Sequence, residues 1–398
     1  MIFVTLIITG VFLVVSDFSQ LTTTHEASWI YDMYYSGNIQ VSISSDGNHV
    51  AVGNSHGDIH LFERSNKEPL WTHETDEVIR SIAISSDGNY TVAGDWNGEI
   101  NLFNKTSSTP IWTYNAGSDI NEVAISSNGY YITVGADNNK LYLFNRTDPN
   151  PMWIFTANGQ ADSVAISSSG DHIFMGSYDN NTYLFHRSSP IPLWNFTASG
   201  LIYEVDISSD GNFLVAGGSD DIVYLFQQPS STPLWNYTAD WSISNIEISD
   251  NGNYIIASTG ITLYYFNRLS SVPLWSYETD DTWFQKITIS ADGTHLAASG
   301  DRIYFFTSSS STPFWTYKAP GSYIPKIQIS SNGQYVVASD LVSNLYFLSF
   351  LNPSLTTESL TSLNLIVFAL FVIPSFFYIF AITVILNRRP PISNEDRI

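Results

Sequence analysis

"PLWNYTAD" (residues 233–240) stands forty-one residues after "PLWNFTAS" (192–199), and looser copies of the phrase lie further out on both sides. Tryptophan keeps this interval along the chain, at Trp29, Trp71, Trp112, Trp153, Trp194, Trp235, Trp275 and Trp315, in steps of 42, 41, 41, 41, 41, 40 and 40. A glycine keeps the same time, at Gly47, Gly88, Gly129, Gly170, Gly211, Gly252, Gly293 and Gly333. Nearly every copy reads I-S-x-[DNS]-G, a short run such as "YTVAG", a run such as "LYLF", then P-x-W. A fixed period of this length marks a chain built from one supersecondary unit repeated, not from unrelated domains.

Each run alternates apolar and polar residues or is rich in β-branched and aromatic ones, which is a strand pattern. In "SIAIS" (81–85) Ile82 and Ile84 share a face, and "SDG" or "SNG" then closes a tight hairpin. A second turn, such as "DWNGE" (95–99), precedes the next strand, and a Ser/Pro-rich loop precedes the tryptophan strand. Four strands in about 41 residues is the length of one β-propeller blade. The eighth copy has Gly333 and "LYFL" (345–348), but "LNPSLTT" (351–357) follows where P-x-W is due. Conversely, "SWIYDMYY" (28–35) precedes the first complete copy as an orphan tryptophan strand. Letting Ser28–Tyr34 complete the eighth blade removes both exposed edges. The expected fold is an all-β, eight-bladed propeller of four-stranded antiparallel blades over residues 27–350, with the eight periodic tryptophans structural.

"ISSDGNYTVAG" (84–94) resembles the first half of a WD repeat, without the Gly-His and Trp-Asp signatures of that family. "YLF…PLW" is similar to the quinoprotein-type repeat, whose tryptophan docks between neighbouring blades. The two resemblances cover residues 28–350, and the second implies a protein-assembly scaffold in the cell envelope. Quinoprotein dehydrogenases close their cofactor site with a vicinal disulfide, and this chain has no cysteine. No cofactor is therefore expected.

The ends suggest a place in the cell. Ile2 to Val15 is a 14-residue apolar run, and Val14 and Ser16 suit cleavage, so residues 1–16 read as a signal peptide. No Lys or Arg before Arg64 supplies the usual positive flank. Residues 351–364 read as a short stalk and 365–386 ("LIVFALFVIPSFFYIFAITVIL") as a transmembrane helix, being 22 residues without charge. Arg388 and Arg389 then place residues 387–398 in the cytoplasm and the propeller outside, as a single-pass cell-membrane protein. Sequons at Asn89, Asn104, Asn145, Asn180, Asn195 and Asn236 agree with an external propeller and are candidates for glycosylation.

Chemistry is sparse. A formal net charge of -22 excludes a phosphate-binding surface, so no nucleic acid partner is expected. "GNSHG" (Gly53–Gly57) matches the Gly-x-Ser-x-Gly nucleophile pattern, but it lies between two strands, whereas a nucleophile elbow needs a strand-to-helix turn. Histidines are scattered singly, with no metal-ligand spacing, so no metal is expected. Asp46, Asp87, Asp210 and Asp292 fall inside the periodic turn and shape it. Three tryptophans are surplus to the repeat: Trp96 in a second-to-third-strand turn, and Trp241 and Trp283 in successive blade-to-blade connections. Both kinds of loop open on one face, where Glu74, Asp76, Glu77, Asp95, Asp119, Asp240, Glu278, Asp280 and Asp281 crowd. Trp96, Trp241 and Trp283 with Asp240, Asp280 and Asp281 form the candidate binding face, since aromatics beside carboxylates suit sugars, cations or basic protein segments. The expected function is that of a membrane-anchored, externally displayed, non-catalytic binding or scaffolding module for proteins or glycans. The alternative is a cell-surface glycan hydrolase or lyase using acidic residues around the central channel.

Overall fold

Blade two shows how the repeat folds: β6 (Ile79–Ile84), β7 (Tyr90–Asp95), β8 (Glu99–Asn104) and β9 (Trp112–Asn115) pair antiparallel in that order. The computed structural model describes residues 27–33, 37, 39–280, 282–319 and 323–350. In the β6–β7 turn, Ser85 Oγ donates to Asp87 Oδ1 at 2.6 Å and accepts from the Tyr90 N–H at 3.0 Å. Asp87 Oδ1 also accepts from the Asn89 N–H at 3.0 Å. The turn is thus tied by its own side chains, as Asx and Ser turns are. Gly88 sits in it at φ 70°, a left-handed backbone that favours glycine. A Cβ there would come within 2.5 Å of the His49 ring in blade one. The same approach recurs at Gly129 against Tyr90, Gly170 against Tyr131, Gly252 against Phe213 and Gly47 against Tyr335. The periodic glycine therefore meets two demands, a positive φ and close contact with the preceding blade.

Eight such sheets, each of four strands, make the described molecule. The inner strands β2 (Gln40–Ile43), β6, β10 (Ile120–Ile125), β14 (Ala161–Ile166), β18 (Ile202–Ile207), β22 (Asn245–Ile248), β26 (Lys286–Ile289) and β30 (Lys326–Ile329) pack in sequence, and β30 returns to β2. The ring closes as expected. β1 (Trp29–Asp32) is the outer strand of the last sheet, in the order β1-β32-β31-β30, where β31 is Tyr335–Ser339 and β32 is Asn344–Ser349. Trp29 lies opposite Phe347 and Asp32 opposite Asn344.

The core lies between blades. Trp71, Trp112, Trp153 and Trp235 each donate Nε1–H to a backbone carbonyl of the next blade, on Lys105, Arg146, Arg187 and Arg268, at 2.8–3.0 Å. Trp29 does the same to Arg64 O at 3.0 Å and Trp275 to Ser308 O at 3.0 Å. Each ring also meets a phenylalanine of the neighbouring blade, as Trp112 meets Phe144 at 5.4 Å and Trp235 meets Phe266 at 5.5 Å. Burying a side chain of this size stabilises a blade contact by a few kcal/mol, about 25 cal/mol per Å². Trp194 is the exception, because its buried Nε1 finds no acceptor.

The expected transmembrane helix needs correcting as part of the fold. Every regular element among the described residues is a strand, and no helix among them is long and apolar enough to cross a membrane. The expectation took hydropathy and length for a helix, and the strand repeat alone accounts for the described structure. The signal segment 1–16, the stalk 351–364, the apolar run 365–386 and the tail 387–398 lie outside the described residues.

Candidate functional site

All three surplus tryptophans are exposed. Trp241 and Trp283 show 67% and 65% of their surface to solvent and Trp96 shows 49%, whereas the repeat tryptophans are buried or half-buried. Trp241 lies between β21 (Trp235–Thr238) and β22, and Trp283 lies between β25 (Trp275–Glu278) and β26. The Ile243 N–H donates to Gly218 O at 2.9 Å and the Phe284 N–H to Gly260 O at 2.7 Å. These bonds dock each connection on the second-to-third-strand turn of the blade it leaves. The Trp283 ring also lies on Gly260, close enough that a Cβ there would touch it at 3.4 Å. Trp241 and Trp283 therefore sit at adjacent blade junctions on one face. Trp96, in the β7–β8 turn, belongs to blade two, across the ring from both, and the Arg80 guanidinium lies 5.6 Å from its ring centre.

The acidic residues divide. Asp240 is exposed and accepts from Tyr264 Oη at 3.0 Å, and Asp280 is exposed beside it in the next connection. Asp281 lies outside the described residues. Asp95 is buried and accepts the N–H groups of Asn97 and Glu99 at 2.9 and 2.8 Å, so it shapes its own turn. Ser55 stands in the turn between β3 (His49–Gly53) and β4 (Asp58–Glu63), a strand-to-strand turn without the elbow geometry.

The central channel carries a second constellation that the periodic reading passed over. Inner strands line a space of about 540 Å³ that holds Arg80, Glu122, Asp162, Glu204, Asp206, Glu247, Lys286 and Lys326. Lys286 Nζ reaches Glu204 Oε1 at 2.6 Å, from blade seven to blade five. The other polar groups bind blade to blade. Ser42, Ser81, Glu122 and Ser163 accept the N–H groups of Ile84, Val123, Val164 and Val205, at 3.1, 3.1, 2.7 and 3.1 Å. Asp206, Glu247, Thr288 and Gln328 accept those of Ile248, Ile289, Ile329 and Ile43, at 2.8, 3.1, 3.3 and 2.8 Å. The last bond returns to blade one, so one side-chain oxygen spans each of the eight blade junctions. Ser81, Glu122 and Ser163 use one strand position, and the other five use the position two residues further on.

Desolvation in this wall pushes Asp206 and Glu122 up to about 7, Glu247 up to about 8 and Asp162 up to about 6. Lys326 is pushed down to about 8, first by burial and then by the neighbouring Lys286 charge. Lys286 itself is held above its ordinary range: desolvation opposes its charge, but the carboxylates of Glu204, Glu122 and Glu247 prevail. The sequence did carry a signal for this cluster. In "INEVAI" (120–125), "IYEVDI" (202–207) and "NIEI" (245–248) acids alternate with the apolar residues of otherwise mostly apolar strands. Glu122, Asp206 and Glu247 spend a carboxylate oxygen on the next blade, which gives these channel acids a structural role.

Comparisons with known proteins agree with this geometry. Residues 41–128 match the family model of the anaphase-promoting complex subunit 4 WD40 domain, and residues 191–227 match that of the WD domain, G-beta repeat. The second match begins just before the outer strand of blade four and ends with the third strand of blade five, a repeat unit that straddles two sheets. The crystal structure of the C-terminal WD40 domain of Sif2 is similar with a TM-score of 0.70 and 16% identity, over 82% of this chain and 100% of that one. No curated protein matches the chain in sequence. Because 1901 solved chains match the fold, the fold by itself separates no function from another. Strand order and repeat unit lead to one conclusion: the chain is an eight-bladed β-propeller, with residues 41–128 and 191–227 similar to WD40 repeats.

Proposed function

We propose that this propeller is a non-catalytic scaffold that recruits a protein partner through the face bearing Trp241 and Trp283. WD40 propellers typically serve as protein-interaction scaffolds, and a rigid disc with variable loops suits that use. The observation that carries the reading is the pair of exposed indoles at adjacent junctions, flanked by the exposed carboxylates Asp240 and Asp280. Large aromatics left in water are unfavourable, and Trp is enriched among residues that dominate binding energy. The flanking acids favour a basic segment of the partner over a neutral or acidic one.

Capture on the purified chain, compared with Trp241→Ala and Trp283→Ala, tests this. Each variant is expected to keep its melting temperature within about 2 °C, since neither ring fills the core, and to lose the captured partner at least tenfold. A glycan array run in parallel separates a sugar ligand from a protein one. Early unfolding of both variants, or full capture by both, overturns the proposal.

A further inference from the structure

A pocket of about 320 Å³ lies at the seam where blade eight meets blade one, lined among others by Tyr31, Met33, His56, Asp58, His60 and Glu74. The repeat is broken there, as it also is in blade two, where Asn101 takes the corresponding position. At the position of His60, blades three to eight carry Tyr142, Tyr183, Tyr224, Tyr264, Tyr304 and Tyr346, each opposite the residue after or near the strand tryptophan. Tyr183 and Tyr224 donate their hydroxyls to Asp179 and Asp220, four residues earlier, at 2.7 and 2.8 Å. In blade one this phenol and carboxylate are replaced by His60 and His56. The imidazole is shorter than the phenol that blades three to eight carry and leaves room beside it.

The lining is charged in an unusual way. Asp58 of β4 stands directly opposite Glu74 of β5 (Pro69–Glu74), an arrangement of like charges that destabilises a ladder. The corresponding pairs elsewhere, such as Glu99 with Asn115, Lys140 with Thr156 and Thr262 with Glu278, hold no second acid. Among the described residues, no Lys or Arg lines the pocket. His60 is 7% exposed and pairs through Nδ1 with Thr72 Oγ1 at 2.8 Å, which leaves Nε2 without a partner among the described residues. Burial pushes this imidazole down to about 4, so it adds no positive charge at neutral pH. The described residues hold no group of three or more His, Asp or Glu placed to grip a metal ion.

We infer that the seam pocket is a receptor for one basic side chain, a lysine or arginine, presented by a protein partner. The Asp58–Glu74 pair supplies the counter-charge, Tyr31 and Met33 supply apolar contact for the stem, and His60 Nε2 stands as a further polar group. The size suits a single side chain entering from solvent, at the lower end of ordinary ligand pockets. This site lies at another blade junction, two removed from Trp283 and three from Trp241, and either can fail without the other.

Titration of the full chain with Nα-acetyl-arginine amide, Nα-acetyl-lysine amide and, as the neutral control, Nα-acetyl-norleucine amide tests the inference by calorimetry or ligand-observed NMR. The two cationic probes are expected to saturate one site and norleucine to give none. The variant H56D/H60Y rebuilds the tyrosine–aspartate pair of blades four and five and is expected to fold with an equal or higher melting temperature while weakening the cationic probes at least tenfold. D58N/E74Q is expected to weaken them similarly and to retain the fold, because it removes the opposed charges. Undiminished probe binding by a folded H56D/H60Y chain overturns the inference. So does norleucine binding equal to arginine, saturation by zinc ions with no response to arginine, or no binding of the cationic probes at all.

Discussion

At the scale of single residues, the turn glycines separate two physical effects that usually travel together. Gly129 has φ 67° and a Cβ on it would lie 2.4 Å from the Tyr90 ring, whereas Gly117 has φ 71° and nothing within 4 Å. Alanine at Gly117 pays only for the left-handed backbone, about 1 kcal/mol. Alanine at Gly129 adds the displacement of a packed aromatic ring, and a total cost of about 3 kcal/mol is expected. Denaturant unfolding of the two variants checks this, and equal losses would show that the blade contact adjusts freely. The candidate site was legible at this scale only in part. Trp241 and Trp283 stood out because the period had already assigned Trp235 and Trp275 to packing. His60 and His56 did not stand out, since a scattered histidine carries no signal until the ladder aligns it with six tyrosines.

At the scale of elements, β1 is the test of ring closure. It covers the outer edge of β32, with Trp29 stacked 5.2 Å from Phe347 and 5.7 Å from Phe62 of blade one. Trp29→Ala is expected to cost about 3 kcal/mol through lost burial, and deletion of residues 29–33 more, together with aggregation through the bared edge. Calorimetry and light scattering measure both, and a deleted chain that melts like the parent would remove β1 from the blade. This closure was readable from the orphan tryptophan before the first repeat, because a period of about 41 residues leaves a fragment at each end of the array. The strand is shorter than expected, Trp29–Asp32 in place of Ser28–Tyr34, although the Ser28 N–H still bonds Phe347 O at 2.8 Å. The channel was harder to read. Its charges sit on different blades at three strand positions, and their meeting is a property of the closed ring that no single strand shows. The apolar run at 365–386 lies outside the described residues.

At the scale of the whole molecule, the channel acids give stability an unusual pH profile. Folded pKa values of about 7, 7 and 8 for Glu122, Asp206 and Glu247 lie above the ordinary value near 4, so the folded chain binds more protons than the unfolded one. Their contribution is complete below about pH 4 and is lost as pH rises through 7 and 8. The turn acids Asp46, Asp87, Asp210 and Asp292 have the opposite sign: desolvation raises them, but hydrogen bonds prevail and hold them low, so their contribution is lost only in acid. Burial also lowers His49, His60 and His172, which offsets the channel acids below the ordinary histidine value of 6.5. Lys326, down to about 8 from 10.5, restores stability above pH 8. The melting temperature is therefore expected to fall from pH 6.5 to 8 and to recover toward pH 9.5, with D206N/E247Q flattening the fall. A steady rise from pH 6.5 to 8 would contradict this. The closure of the ring has a mechanical side as well. Because β1 runs antiparallel to β32, with Trp29 opposite Phe347, the two strand ends that lead out of the propeller lie at the same end of one ladder. A load pulling these ends apart acts across that ladder, on one hydrogen bond at a time, and peels β1 away as a zipper opens. The β1–β32 ladder inside blade eight is thus the place where tension would first undo the ring, while the junctions between blades stay unloaded until it has gone.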